Sequence, residues 1–257
     1  LGNVVNWQND IRYNLGPSIE RIKGSPINDI VMIDNGWKIF RIELKEGNDI
    51  LHVKDINATD NIDMGAGNDF LIINSDANDI LLDGGTGSDW IAFRTVNWGS
   101  SAQNYSINSG AASNFENLLG SDNDDTLNGD ANANIIVGSA GADTINGNDG
   151  NDTLWGDCKT SACTNLISQN YSSYDIGSGG NDTLNGGAGD DILYGEDGDD
   201  TLDGGAGNDT IISGSGNDII LTSSSSGSDI LTDFADGDDV IGFDSSILSS
   251  NLSIFLP

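Results

Sequence analysis

The nine residues Gly204-Gly205-Ala206-Gly207-Asn208-Asp209-Thr210-Ile211-Ile212 decide the reading of this chain, because the residues on both sides repeat them with small changes. Steps of nine from Asp209 meet Asp182, Asp191, Asp200 and Asp218, and Asp229 follows after a step of eleven. A second run sets Asp125, Asn134, Asp143 and Asp152 nine apart. Two residues beyond each of these marks stands Leu or Ile: Leu127, Ile136, Ile145, Leu154, Leu184, Leu193, Leu202, Ile211, Ile220 and Leu231. A disordered Gly/Asp linker has no reason to hold an aliphatic side chain in phase with a carboxylate. Each nonapeptide therefore reads as a turn followed by a short strand that buries one side chain, with Thr126, Thr144, Thr153, Thr183, Thr201 and Thr210 on the solvated face.

Two nonapeptides close one coil of eighteen residues, and stacked coils pair in parallel at about 4.8 Å. The fold expected is all-β, a parallel β-roll or β-solenoid with a core one aliphatic residue deep per strand. So thin a core does not offset the entropy of ordering a glycine-rich chain. Composition points to what is missing: 41 Asp and Glu against 9 Lys and Arg give a formal charge of -32, and folding crowds these carboxylates together. Stacked turns place their Asp side chains and glycine-flanked carbonyls around shared oxygen-lined holes. About six hard oxygen ligands of irregular geometry favour Ca²⁺ over Mg²⁺. The candidate ligands are Asp125, Asp143, Asp152, Asp182, Asp191, Asp200, Asp209, Asp218 and Asp229. In the loop ending at Asn134 the inner glycine is absent, which weakens the hole it would share with Asp152.

The pattern G-G-x-G-x-D-x-U-x over residues 120–232 resembles the repeats-in-toxin (RTX) family of hemolysin-type calcium-binding repeats. The flanks Asn114-Phe115-Glu116-Asn117-Leu118-Leu119-Gly120-Ser121 and Asp229-Ile230-Leu231-Thr232-Asp233-Phe234 are similar to the segments that usually border such repeats. The resemblance implies a secreted, extracellular protein, exported from a Gram-negative bacterium by type I secretion with a signal at the extreme carboxyl terminus; residues 251–257 show no recognisable one. The sequence begins at Leu1 without a signal-peptide pattern and reads as a piece of something longer or a processed product.

The amino-terminal half keeps a slower time. Asn28-Asp29, Asn48-Asp49 and Asn68-Asp69 are twenty apart, and Asn78-Asp79 and Ser88-Asp89 follow at steps of ten. Residues 27–119 are thus expected to form a wider β-solenoid of about ten residues per half-coil with an irregular connection. Val31, Leu51, Leu71, Leu81 and Ile91, two beyond each Asp, are the expected core positions. Only Gly65-Ala66-Gly67-Asn68-Asp69 and Gly84-Gly85-Thr86-Gly87-Ser88-Asp89 carry the glycines of a cation-binding turn, so Asp69 and Asp89 join the candidate ligands. Roughly four to eight Ca²⁺ are expected in all.

Where the second half has Thr after its Asp, the first half has Ile30, Ile50, Phe70 and Trp90. These four stack into an outward apolar ladder, which is either covered from within or an interface with another domain or another copy. A short helix in Gln8 to Lys23, within an amino-terminal segment 1–26, is one cover, since Ile11, Leu15, Ile19 and Ile22 fit helical spacing. An inserted loop, 157–177, interrupts the nonapeptides and contains Cys158 and Cys163, spaced to close a disulfide or to remain free thiols. Residues 233–257 are expected to cap the roll.

The charge disfavours nucleic acid and anionic membrane as partners, and no apolar run is long enough to span a bilayer. No HExxH or Gly-x-Ser-x-Gly motif appears, and one histidine leaves few acid/base options, so no enzyme activity is expected. The expectation is a calcium-binding structural module of an exported surface protein, an adhesin or a surface-layer or filament component, with self-association, other surface proteins or glycans as partners. The alternative is the calcium-binding tail of a secreted RTX enzyme or toxin.

Overall fold

The computed structural model describes residues 4–6, 11–12, 21–33, 41–53, 61–73, 81–93, 102–107, 112–158, 179–222, 227–234 and 239–243. Among these there is no helix; the regular structure is β-strand, and every paired strand runs parallel to its partner. One sheet of 11 strands runs the length of the solenoid, from Ile11–Arg12 through Trp90–Phe93 and Asn117–Leu119 to Ile230–Leu231. It is faced by a 6-stranded sheet from Val4–Asn6 to Ala112–Ser113, then by a 7-stranded sheet from Asn104–Ser106 to Val240–Phe243.

Register shows the two rhythms directly. Ile30 pairs with Ile50, Ile50 with Phe70 and Phe70 with Trp90, a coil of twenty residues. Thr126 pairs with Thr144 and Thr183 with Thr201, a coil of eighteen. Thr144 pairs with Thr183, 39 residues on, so the insertion is passed over without a break in register. Between the halves, one turn of chain carries both the start of one facing sheet, Asn104–Ser106, and the end of the other, Ala112–Ser113. Here Phe93 meets Tyr105 edge to face at 5.0 Å between centroids, and Phe115 is fully buried, so aromatic volume fills the step in width.

The core is one continuous column. In the second half it takes one residue per strand, from Leu127 to Ile220, each at most 1% exposed. Leu231 packs against it only partly buried. The wider coils bury two per strand, as in Ile42 with Leu44, Leu51 with Val53 and Leu71 with Ile73. Leu81 breaks the expected rule, being 57% exposed while Leu82 is buried. The strand Leu81–Asp83 follows the register of Ile62 with Leu82, and with a side-chain period of two a one-residue offset exchanges inside for outside.

Three further expectations are corrected. Ile11–Arg12 and Arg21–Lys23 are strands, not helix: Ile11 pairs with Val31 and Ile22 with Ile42, so both follow the twenty-residue coil. The roll does not stop at residue 232, because Val240–Phe243 adds a rung on Ile219–Thr222. Of the outward ladder, Ile50, Phe70 and Trp90 are buried, in a second apolar cluster with Ile72, Ala92, Leu119, Val137, Trp155 and Cys158. Phe70 stacks on Trp90 and Trp155 on Tyr194, with ring centroids 6.0 and 3.7 Å apart. Only Ile30, at 37%, remains exposed, so the ladder is not the outward face expected, and of its two readings the burial of the other three fits cover within the chain. Cys158 is disulfide-bonded and buried; Cys163 and most of the inserted loop lie outside the described residues.

Candidate metal centre: two ladders of buried carboxylates

The turns stack as tightly as the strands. Along one edge the backbone N–H of Asp29 donates to Asp49 Oδ1, that of Asp49 to Asp69 and that of Asp69 to Asp89, each at 2.7 Å. The file continues with Asp152 donating to Asp191, Asp191 to Asp209 and Asp209 to Asp229, at 2.7, 2.9 and 3.1 Å. The opposite edge runs from Asp125 through Asp143, Asp182, Asp200 and Asp218 to Asp239, at 2.7 to 3.1 Å. The residues just before most of these Asp form an exposed file in the reverse sense, as where Asn68 N–H donates to Asn48 Oδ1 and Asn208 N–H to Asp190 Oδ1, although Ala142 before Asp143 offers no side-chain acceptor. Most rungs are thus held from above and from below.

One carboxylate oxygen per rung is spent on this ladder, and the fate of the other divides the turns into two kinds. Oδ2 of Asp49, Asp69, Asp89, Asp143, Asp152, Asp182, Asp191, Asp200 and Asp209 is buried with no hydrogen-bond donor. In contrast, Asp29 Oδ2 accepts the Ser25 N–H and Asp125 Oδ2 the Ser121 N–H, both at 2.6 Å, while each serine hydroxyl donates to Oδ1. Asn134 closes the same way, its Oδ1 accepting the Asp130 N–H at 2.8 Å. These are closed turns; the nine above are open.

Backbone conformation four residues before the Asp sets the difference. In eight of the nine open turns that position is left-handed: Lys45, Gly65, Gly85, Ser139, Asn148, Gly187, Glu196 and Gly205 have φ between 76° and 136°; for Asp182 it lies outside the described residues. A left-handed residue there carries its N–H away from the carboxylate. In the same eight turns a second left-handed residue follows two positions later, such as Gly207 at φ 148°, where an added Cβ would overlap the Gly189 carbonyl oxygen of the coil before; Gly180, two before Asp182, is not left-handed. The closed turns have neither. Their Asp125, expected to share a hole with Asp143, has no spare oxygen, since Gln103 N–H and Ser121 Oγ hold Oδ1 and Ser121 N–H holds Oδ2.

An open turn leaves a buried, donor-less carboxylate oxygen, which is costly unless a cation meets it. Burial is accordingly the leading cause that raises these acids: Asp49, Asp89, Asp152 and Asp200 to about 7, Asp69 and Asp209 to about 6, and Asp143 and Asp182 to about 8. Neighbouring rungs add like-charge repulsion, as Asp182 does to Asp143. Among the described residues no ion pair reaches these nine carboxylates, and Arg21, Lys23 and Arg41 all pair with Glu43. Nor do three acidic, His or Cys side chains converge anywhere among the described residues. A cation held here draws on carboxylates of successive turns and on main-chain carbonyls, an all-oxygen set suited to Ca²⁺.

Sequence reading found the rungs from Asp143 to Asp229 and missed Asp49 and Asp239. Asp49 follows Lys45-Glu46-Gly47, where only one of the two left-handed positions is glycine, and Asp239 follows Asp218 after an irregular step of 21. Glu116 was missed too; it takes the Asp89 N–H at 2.8 Å in place of an aspartate.

The chain is a parallel β-solenoid whose stacked, oxygen-lined turns suit Ca²⁺, and comparison with known families points the same way for its second half. The RTX calcium-binding nonapeptide repeat matches in four copies, over residues 128–157, 176–211, 186–220 and 196–229. This part of the chain is an array of RTX repeats, which implies a calcium-binding structural module of a secreted protein. No curated protein matches the chain. Among the described residues no helix is long and apolar enough to cross a membrane.

Proposed function

We propose that the chain is a non-enzymatic, calcium-switched module of a bacterial surface protein, an adhesin or a component of a surface layer or filament. The observation that carries this reading is the set of open turns, whose buried Oδ2 atoms have no donor among the described residues. Where free Ca²⁺ is scarce, inside the cell, carboxylate repulsion and desolvation keep the chain unfolded and competent for export. Outside, millimolar Ca²⁺ binds the folded state alone and stabilises it by mass action. Circular dichroism of the EDTA-treated chain, titrated with Ca²⁺ and followed by light scattering, tests both parts. A cooperative gain of β signal up to millimolar Ca²⁺ supports the switch, and growth in particle size supports a surface assembly. Full β signal in EDTA overturns the switch, and a particle of constant size removes self-assembly.

A further inference from the structure

We infer that the twenty-residue coils of the amino-terminal half carry their own single file of divalent-cation sites, between the turns of Asp49 and Asp69 and between those of Asp69 and Asp89. These residues lie outside the segments that match the nonapeptide repeat. The inference rests on the calcium reading of the open turns and extends it to coils of different length and width.

Asp49, Asp69 and Asp89 are 0%, 1% and 0% exposed, and each has a buried Oδ2 without a donor. The turns beneath them have the backbone of the repeats. Gly65 and Gly67, at φ 103° and 142°, and Gly85 and Gly87, at 99° and 147°, reproduce Gly187 and Gly189, at 105° and 146°. They also stack alike. A Cβ on Gly85 or Gly87 would overlap the carbonyl oxygen of Gly65 or Gly67, as one on Gly205 or Gly207 would overlap that of Gly187 or Gly189. Lys45 and Gly47, at 136° and 127°, give the same left-handed pair with a different first residue.

The file has ends. Before it, Asp29 is closed by Ser25; after it, Asp89 passes its N–H to Glu116, and the following rung is the closed Asn134. Two inter-turn positions therefore lie between open turns, and Asp69 belongs to both.

The test compares the full-length chain with Asp69→Asn and, as a reference rung inside the matched repeats, Asp209→Asn. Bound Ca²⁺ is counted by emission spectroscopy after equilibrium dialysis, and hydrogen exchange follows Phe70–Ile73 and Trp90–Phe93. Asp69→Asn is expected to bind two ions fewer than wild type and to lose calcium-dependent protection at those strands, with Thr201–Ala206 still protected. An unchanged count in Asp69→Asn beside a reduced count in Asp209→Asn overturns the inference and leaves the calcium reading intact. If neither wild type nor variants bind Ca²⁺, the calcium reading fails and the inference with it. Should Asp69→Asn not fold, wild-type exchange decides: protection at Phe70–Ile73 that is equal in EDTA and in Ca²⁺ excludes the sites.

Discussion

Asn134 donates from its side-chain amide to the backbone carbonyl of Glu116 at 3.0 Å. The aspartate rungs from Asp49 to Asp239 do the reverse, accepting an N–H from the coil before. With its Oδ1 on the Asp130 N–H, Asn134 completes a rung that carries no buried charge, and the turn's one carboxylate, Asp130, is met by the Asn132 N–H and side-chain amide. Asn134→Asp sets an acceptor against the Glu116 carbonyl and a second carboxylate beside Asp130. In Ca²⁺ just sufficient to fold the chain this should cost the junction about 1–3 kcal/mol, with much of the loss recovered in saturating Ca²⁺. Hydrogen exchange over Asn117–Leu119 and Ile135–Ser139 reads the effect, and equal protection of wild type and variant at that limiting Ca²⁺ refutes it.

Left-handed positions should set the calcium midpoint. Ser139 is held at φ 94°, and its buried hydroxyl has no partner. Ser139→Gly removes both penalties and should stabilise the roll by about 1 kcal/mol, seen as refolding at lower Ca²⁺. Gly207→Ala should act oppositely, by about 2 kcal/mol or more, because its Cβ meets the fixed Gly189 carbonyl. Equal midpoints for the two variants would mean that turn strain is not coupled to binding.

The distinction between open and closed turns was present in the sequence. Open turns have glycine two residues before the Asp, as at Gly67, Gly141, Gly150 and Gly207, whereas closed turns have Ile27, Asn123 or Asn132 there. A left-handed residue at that place is what glycine permits. The aliphatic column was legible for a related reason, since in the nonapeptides turn and strand keep a fixed phase. Leu81 was not, because the aspartate used to phase it, Asp79, precedes a strand whose inward residue is Leu82. The burial of Trp90 was not legible either: alternation tells which face of the sheet a side chain takes, not what covers that face.

The thin core should control stability without changing ion number. Leu202 is fully buried, and Leu202→Ala should cost about 2–5 kcal/mol, raising the calcium midpoint while leaving the bound Ca²⁺ count at saturation unchanged. Leu81→Ala, at a position 57% exposed, should lie within about 0.5 kcal/mol of wild type. Comparable shifts in the two variants would place the core elsewhere.

Protons and calcium should compete for the same oxygens, and the sign follows from burial. Unfolded aspartates titrate near 3.8, whereas those of Asp49, Asp143, Asp152, Asp182 and Asp200 are raised to about 7 or 8 in the folded chain. Between about pH 4 and 8 the folded state without calcium therefore holds more protons than the unfolded state. Its stability must fall as pH rises through that window. In EDTA, β signal is expected to be greatest near pH 4 and to disappear as pH approaches 8. In Ca²⁺ the dependence reverses, because the ion binds the carboxylates once their protons have left, so the apparent calcium affinity should increase from pH 5 to pH 8. Circular dichroism across pH with and without Ca²⁺ measures both trends, and β signal that increases with pH in EDTA would show that the rung carboxylates are not desolvated by folding.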